Sequence, residues 1–265
     1  MTSMMRASPL VLAVFALVAC SAEPSGNSGV QDDVIAGERT PLGLMTSLPI
    51  YWPSGVALDD LVDGDAQLPW MRTYLEQRFE LTAFDTLSAD QQATDEVSDE
   101  GAKVPPLDGL DALMIIQPRG LSPADNVALD EWVAAGGQVL LALDPLLVGH
   151  YAYPLGDPRN PVLSTLVPPI MDRWGLSLSF SERQPLAIQS IAYEGGELPM
   201  VMSGVIALEE GGTGQCTLEA EGRIANCTIG EGRAIVVADA TIFEIQEPSD
   251  QDKVNLQALL DKAFG

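Results

Sequence analysis

Two aspartates, Asp144 and Asp239, each follow a short apolar run of the kind that forms a strand buried on both faces. In open α/β sheets, ligands bind beyond the carboxyl ends of the strands. That placement makes the two acids, with Thr46, Ser47, Gln117 and Arg119, the best candidates for a ligand site. Two carboxylates at a fixed separation can cleave a glycoside, one as acid and the other as base or nucleophile. This chemistry would make the chain a hydrolase of a carbohydrate or an ester. The alternative, which we prefer, is structural: Asp144 caps a turn before Pro145, and Asp239 caps the segment after its strand.

Other chemistries find less support. No Gly-x-Ser-x-Gly elbow occurs, and Ser203 before Gly204 lacks the preceding glycine. Gly211-Gly212-Thr213-Gly214 precedes a hairpin rather than following a strand, which suits a turn better than a phosphate cradle. The single histidine, His150, has no companion ligand pattern, so a His-rich zinc site is excluded. Asp90, Asp95, Glu96, Asp99 and Glu100 lack the ligand spacing and glycine turn of a calcium loop and read as a solvated acidic loop within 88–106. Of the four tryptophans, Trp132 and Trp174 fall on helix faces and read as core, whereas Trp52 and Trp70 could stack a sugar. No cofactor is expected. A formal charge of −25 argues against nucleic acid and anionic lipid surfaces as partners. Its plain meaning is solubility.

The three cysteines divide into one and two. The chain starts with one basic residue, Arg6, then an apolar run from Leu10 to Ala19. That run is too short to span a bilayer, which takes about 20 residues, but suits a secretory signal. It ends Leu17-Val18-Ala19-Cys20, which resembles the bacterial lipobox. The resemblance implies removal of residues 1–19, lipid on Cys20 and a membrane anchor outside the cytoplasm. Ser21 resembles outer-membrane sorting. Residues 20–39 then form a lipidated cysteine and a polar tether, followed by one domain over 40–265. In an oxidising compartment disulfides persist. Folding the chain about Glu221-Gly222 as a two-residue turn sets Cys216 opposite Cys227, Thr217 opposite Asn226 and Leu218 opposite Ala225. A hairpin disulfide is predicted.

The elements that must position the candidates are legible by pattern. Leu42 to Trp52 reads as a buried strand entering a loop, Leu68 to Phe79 as an amphipathic helix, and Phe79 to Leu87 as a strand. Ala112–Ile116 is a continuous apolar strand. Ser122 caps a helix with Pro123 at its first position, Gly136-Gly137 stops it, and 138–143 is the next strand. Strand, helix, strand at this spacing predicts a right-handed parallel crossover. A helix is expected within 160–174, although prolines break its start. Antiparallel hairpins are expected from 185–193, 200–208 and 216–227, a buried strand over 233–238, and a closing helix over 253–264.

Three segments resemble the gliding-motility-type ABC transporter auxiliary proteins, the ABC-type uncharacterized transport system family. The first is Leu44 to Pro49. The second runs from Leu113-Met114-Ile115-Ile116-Gln117-Pro118 through Leu129-Asp130-Glu131-Trp132 and Gly136-Gly137 to Leu143-Asp144-Pro145. The third is Gly232 to Ala240, followed by Asn255-Leu256. The resemblance implies a flavodoxin-like, class I glutamine-amidotransferase-like α/β fold: a parallel sheet with helices on both faces, plus antiparallel hairpins in the C-terminal half. It also implies association with an ABC permease or a companion auxiliary subunit. An amidotransferase would need a cysteine nucleophile and a histidine. Asp144-Pro145 follows the relevant strand instead, so a non-catalytic binding or scaffold component is expected. Family members are commonly held by transmembrane helices, whereas this chain offers only Cys20.

Overall fold

The computed structural model describes residues 39–64, 66–89 and 106–265. Cys20, residues 20–38 of the expected tether and all five acids singled out in the acidic loop lie outside them. The elements begin β1 (Thr40–Thr46), α1 (Leu58–Val62), α2 (Trp70–Leu75), β2 (Phe79–Ala83), β3 (Ala112–Ile116), α3 (Pro123–Ala134) and β4 (Gln138–Ala142). They continue α4 (Ile170–Trp174), β5 (Leu176–Ser179), β6 (Gln189–Tyr193), β7 (Gly196–Met200), β8 (Val205–Leu208) and β9 (Gln215–Glu219). The last are β10 (Ile224–Ile229), β11 (Gly232–Val237), α5 (Thr241–Glu244) and α6 (Asp250–Phe264).

The central sheet has seven strands in the order β2-β1-β3-β4-β11-β10-β9. The first five are mutually parallel, and β10 and β9 continue the sheet antiparallel. The five parallel strands follow the flavodoxin-like 2-1-3-4-5 order. Strand side chains alternate between faces, and this splits the core in two. Leu42, Leu44, Met114, Ile116, Leu140, Ile235 and Val237 pack under α2, α5 and α6. Leu113, Ile115, Val139, Leu141, Ala234 and Val236 pack under α3 and α4. Both faces are covered, which is why β3 and β4 carry almost no polar residue. The helix-bearing faces meet the strands closely: a Cβ on Gly232 would sit 1.9 Å from the Val133 carbonyl oxygen, so only glycine lets β11 begin under the end of α3.

Several expected elements differ. The helix expected over 68–79 shortens to α2, because Pro69 fixes its start and Phe79 opens β2. That strand stops at Ala83. Only Ile170–Trp174 of the expected 160–174 helix forms, since Pro161, Pro168 and Pro169 have no N–H to give a helix interior. Residues 185–193 and 200–208 are not hairpins by themselves: β6 pairs antiparallel with β7, and β8 pairs antiparallel with β5. The closing helix starts at Asp250, three residues early, because Ser249 and Asp252 form a reciprocal capping box. Cys216 and Cys227 are joined in the β9–β10 hairpin, in the expected register. Its turn is four residues, not two: the last pair is Glu219 with Ile224, and Ala220, Glu221 and Gly222 all have positive φ.

Candidate functional site

The carboxyl ends of β1 and β3 lie side by side where the strand order reverses. Beyond them opens a crevice of about 760 Å³. Thr46, Ser47 and Arg119 line it, as do Tyr51, Trp52, Tyr153 and Arg159. Thr46 and Ser47 are half-buried and Arg119 is exposed. The Thr46 hydroxyl accepts from Leu48 N–H at 3.0 Å, a local bond that turns the chain at the end of β1. Ser47 Oγ donates to the Gln117 carbonyl (2.6 Å) and accepts from Val162 N–H (3.1 Å), so it ties β1 and β3 to the loop after β4. Arg119 donates to the Asn160 carbonyl (2.9 Å) and has no carboxylate partner among the described residues.

Aromatic rings and one further arginine, Arg159, complete this wall, with Arg72 packed behind it. Tyr51 and Trp52 meet edge to face at 5.1 Å, and the Arg72 guanidinium lies 4.1 Å from the Tyr51 ring centre. Arg72 is itself held by Glu76. Arg159 sits 3.8 Å over the Tyr153 ring and grips Asp157 through two nitrogens, at 2.9 and 2.7 Å. Trp52 is 55% exposed, an unusual setting for so large an apolar ring. Trp52 had a signal in the sequence, a tryptophan beyond a buried strand. Tyr153 and Arg159 had none, because they reach the crevice from a long loop without periodicity.

The other three candidates line neither this crevice nor the smaller cavity described below. Gln117, Asp144 and Asp239 are 0%, 1% and 2% exposed. Gln117 stands at φ 46°, a left-handed backbone that non-glycine residues rarely adopt. Its side chain compensates: Nε2 donates to the Asp144 (3.0 Å) and Val162 (2.9 Å) carbonyls, and Oε1 accepts from Asp144 N–H (2.8 Å). Asp144 Oδ1 accepts from Leu146 N–H (2.8 Å), and Oδ2 accepts from Ala240 N–H (3.1 Å). Asp239 Oδ1 accepts from Thr241 N–H (2.7 Å), and Oδ2 accepts from Val201 N–H (3.1 Å). Each carboxylate oxygen thus accepts from a backbone amide at the mouth of the sheet.

Burial disfavours the charged forms of these acids. It raises Asp144 to about 7, against the hydrogen bonds from Leu146 and Ala240 and with help from the charge of Glu244. Burial raises Asp239 as well, and the Asp144 charge adds to it. Both carboxyls are thus held above the usual aspartate range by their burial.

A second cavity of about 460 Å³ lies against α2 and the end of α5. It shares the wall Leu48, Pro49, Pro53 and Ser54 with the crevice. No group of three or more His, Cys, Asp or Glu among the described residues has the arrangement of a metal site.

A parallel α/β sheet with an open carboxyl edge and a crevice at its switch point defines a binding-fold class that hosts many activities. The particular family follows from the sequence: residues 42–182 match the family described as an ABC-type uncharacterized transport system, and the chain belongs to it. No curated protein matches the chain. Among solved structures it is similar to the exo-β-1,4-mannosidase Op5Man5 from Opitutaceae bacterium strain TAV5 (14% identity, TM-score 0.46), with 86% of this chain and 36% of that one covered. It is also similar to a β-galactosidase from Bacillus circulans sp. alkalophilus (13% identity, TM-score 0.44), with 84% and 31% covered. A third is the β-galactosidase from Rahnella sp. R3 (14% identity, TM-score 0.40), with 84% and 31% covered. The chain therefore spans about a third of the length of these enzymes. No helix among the described residues is long and apolar enough to cross a membrane.

Proposed function

We propose that this chain is an extracytoplasmic accessory component of an ABC-type transport system, anchored by lipid on Cys20, that binds and does not catalyse. Residues 1–19 are its signal, residues 20–39 its lipidated cysteine and tether, and residues 40–265 the working domain. The crevice beyond β1 and β3 is its recognition site, with Thr46, Ser47 and Arg119 at the mouth and Tyr51, Trp52 and Tyr153 as stacking surface. One observation carries the non-catalytic reading: both oxygens of Asp144 and of Asp239 accept backbone N–H bonds, and neither residue lines the crevice. A hydrolytic pair must present one oxygen to the leaving group and one to water or the anomeric carbon. Asp144 and Asp239 instead serve as caps that hold the loops after β4 and β11.

The test is crosslinking in intact cells from a photoreactive amino acid at position 52, with mass spectrometry of the adducts. Recovery of a permease or companion auxiliary subunit, abolished by Arg119→Glu, supports the reading. Recovery only of chain-to-chain adducts would overturn the transport role, and envelope sugar polymers that the protein shortens would replace it with the hydrolase.

A further inference from the structure

We propose that the 460 Å³ cavity beside α2 and α5 is a second binding site, across a shared wall from the crevice, and that it takes a small organic cation: a primary ammonium on a compact apolar body. Its volume lies at the small end of the usual range for ligand pockets, about 300–1,000 Å³. Ile50, Pro69, Trp70, Met71, Phe243 and Ile245 supply an apolar wall. Trp70 is fixed in that wall, because its indole N–H donates to the Ile245 carbonyl. Indole is the aromatic ring that binds cations best.

One carboxylate reaches the cavity, that of Glu244, the last residue of α5. It accepts from Gly149 N–H at 3.1 Å and from the Tyr151 hydroxyl. A side chain at 149 would block this approach, since a Cβ there would lie 2.3 Å from Glu244 Oε1. No lysine or arginine lines the cavity, and Glu244 has no salt-bridge partner among the described residues. The other titratable groups on the lining are Tyr151 and His150. An acid placed against apolar walls without a counter-ion is costly. Burial accordingly pushes Glu244 above the usual carboxylate range. An ammonium beside Glu244 supplies the missing charge while its apolar body fills the hydrophobic wall, and the strongly acidic chain draws cations toward it.

The experiment is calorimetric titration of the full chain with three probes of one shape: phenethylamine, phenethyl alcohol and 3-phenylpropionate. The expected order is amine, then alcohol at least about tenfold weaker, then acid without measurable binding; one lost charge-assisted contact is about 1.4 kcal/mol or more. Glu244→Gln should weaken the amine at least about tenfold and leave the alcohol unchanged. Ala152→Trp, a change at an exposed lining position, should abolish binding of both and covers the case in which Glu244→Gln does not fold. Equal affinity for amine and alcohol, or amine binding that survives Ala152→Trp, would overturn the assignment.

Discussion

Gln117 occupies a strained backbone and is the joint on which the mouth of the sheet is assembled. Its amide satisfies two carbonyls and one N–H across β3, β4 and the loop at Val162. Gln117→Ala should therefore cost about 2–3 kcal/mol, since buried polar groups would be left without partners. Urea denaturation gives the value, and a loss under 1 kcal/mol would mean that relief of strain or entering water offsets those bonds. Asp144 makes a different prediction, in pH. Its folded value, about 7, lies above that of an unfolded aspartate, about 3.9. A raised group contributes stability that is complete below the unfolded value and declines as pH rises through the folded one. The ceiling is roughly 4 kcal/mol for a shift of this size. Asp125 acts in the opposite sense: burial would raise it, but hydrogen bonds from Ser122, Thr86 and Leu87 outweigh burial and lower it, so its contribution fades in acid. Asp144→Asn should be the less stable protein at pH 4.5, because an amide nitrogen cannot accept from Ala240 or Leu146. The gap to the parent should narrow by at least about 1 kcal/mol by pH 8. A gap that stays constant would show that Asp144 does not titrate in this window.

At the scale of elements, β3-α3-β4 is held by cues that agree. The apolar run, the Ser122–Asp125 capping box with Pro123 inside it, and the glycines at 136 and 137 all specify strand, helix and stop. Such consistency across levels makes a unit foldable. Helix α6 has the same device at Ser249 and Asp252. Ser249→Ala should cost about 1 kcal/mol, with helix-wide loss of amide-exchange protection as the readout. The β9–β10 hairpin is closed by the Cys216–Cys227 disulfide across a separation of 11 residues. Cys216→Ser with Cys227→Ser should lower stability by about 2–3 kcal/mol, the entropic scale for a loop this short. Because β9 is the outer strand of the sheet, the loss should concentrate there and spare β3 and β4. Uniform loss across the sheet would show that the hairpin instead supports the whole fold. Between β5 and β8 the cues were weaker. Alternation identified strands in that region but not their partners, since register and pairing depend on which apolar faces are already covered.

Across the whole molecule, the sheet divides the chain into two cores and leaves one edge of strand ends open. The proposed anchor belongs at this scale. Cys20→Ala should release the protein from membranes, because the anchor depends on acyl chains and no helix among the described residues can span a bilayer. Fractionation with mass measurement of the amino-terminal peptide checks it. A Cys20→Ala protein that stays in the membrane fraction, or an unmodified Cys20 in the parent, would remove the anchor from the reading.

The sequence alone determined the parallel α/β class, the β3-α3-β4 unit, the register of Cys216 with Cys227 and the family likeness. The first three rest on periodicity, caps and short-range order, which local chemistry dictates; the likeness rests on the resemblance of three segments to a family. The carboxyl-end rule also selected Thr46, Ser47 and Arg119 from among all polar residues. It could not separate them from Gln117, Asp144 and Asp239, because all six stand just beyond strand ends and differ only in which way the side chain turns. The fold turned the amide and both acids inward, where unsatisfied backbone amides at the strand ends take every carboxylate oxygen. It also brought Tyr153 and Arg159 to the crevice, and Glu244 to Gly149 and Tyr151, over 90 residues away in the chain. Such meetings are set by how the loops after β1, β4 and β11 close over one another, and no local pattern in the sequence records that closure.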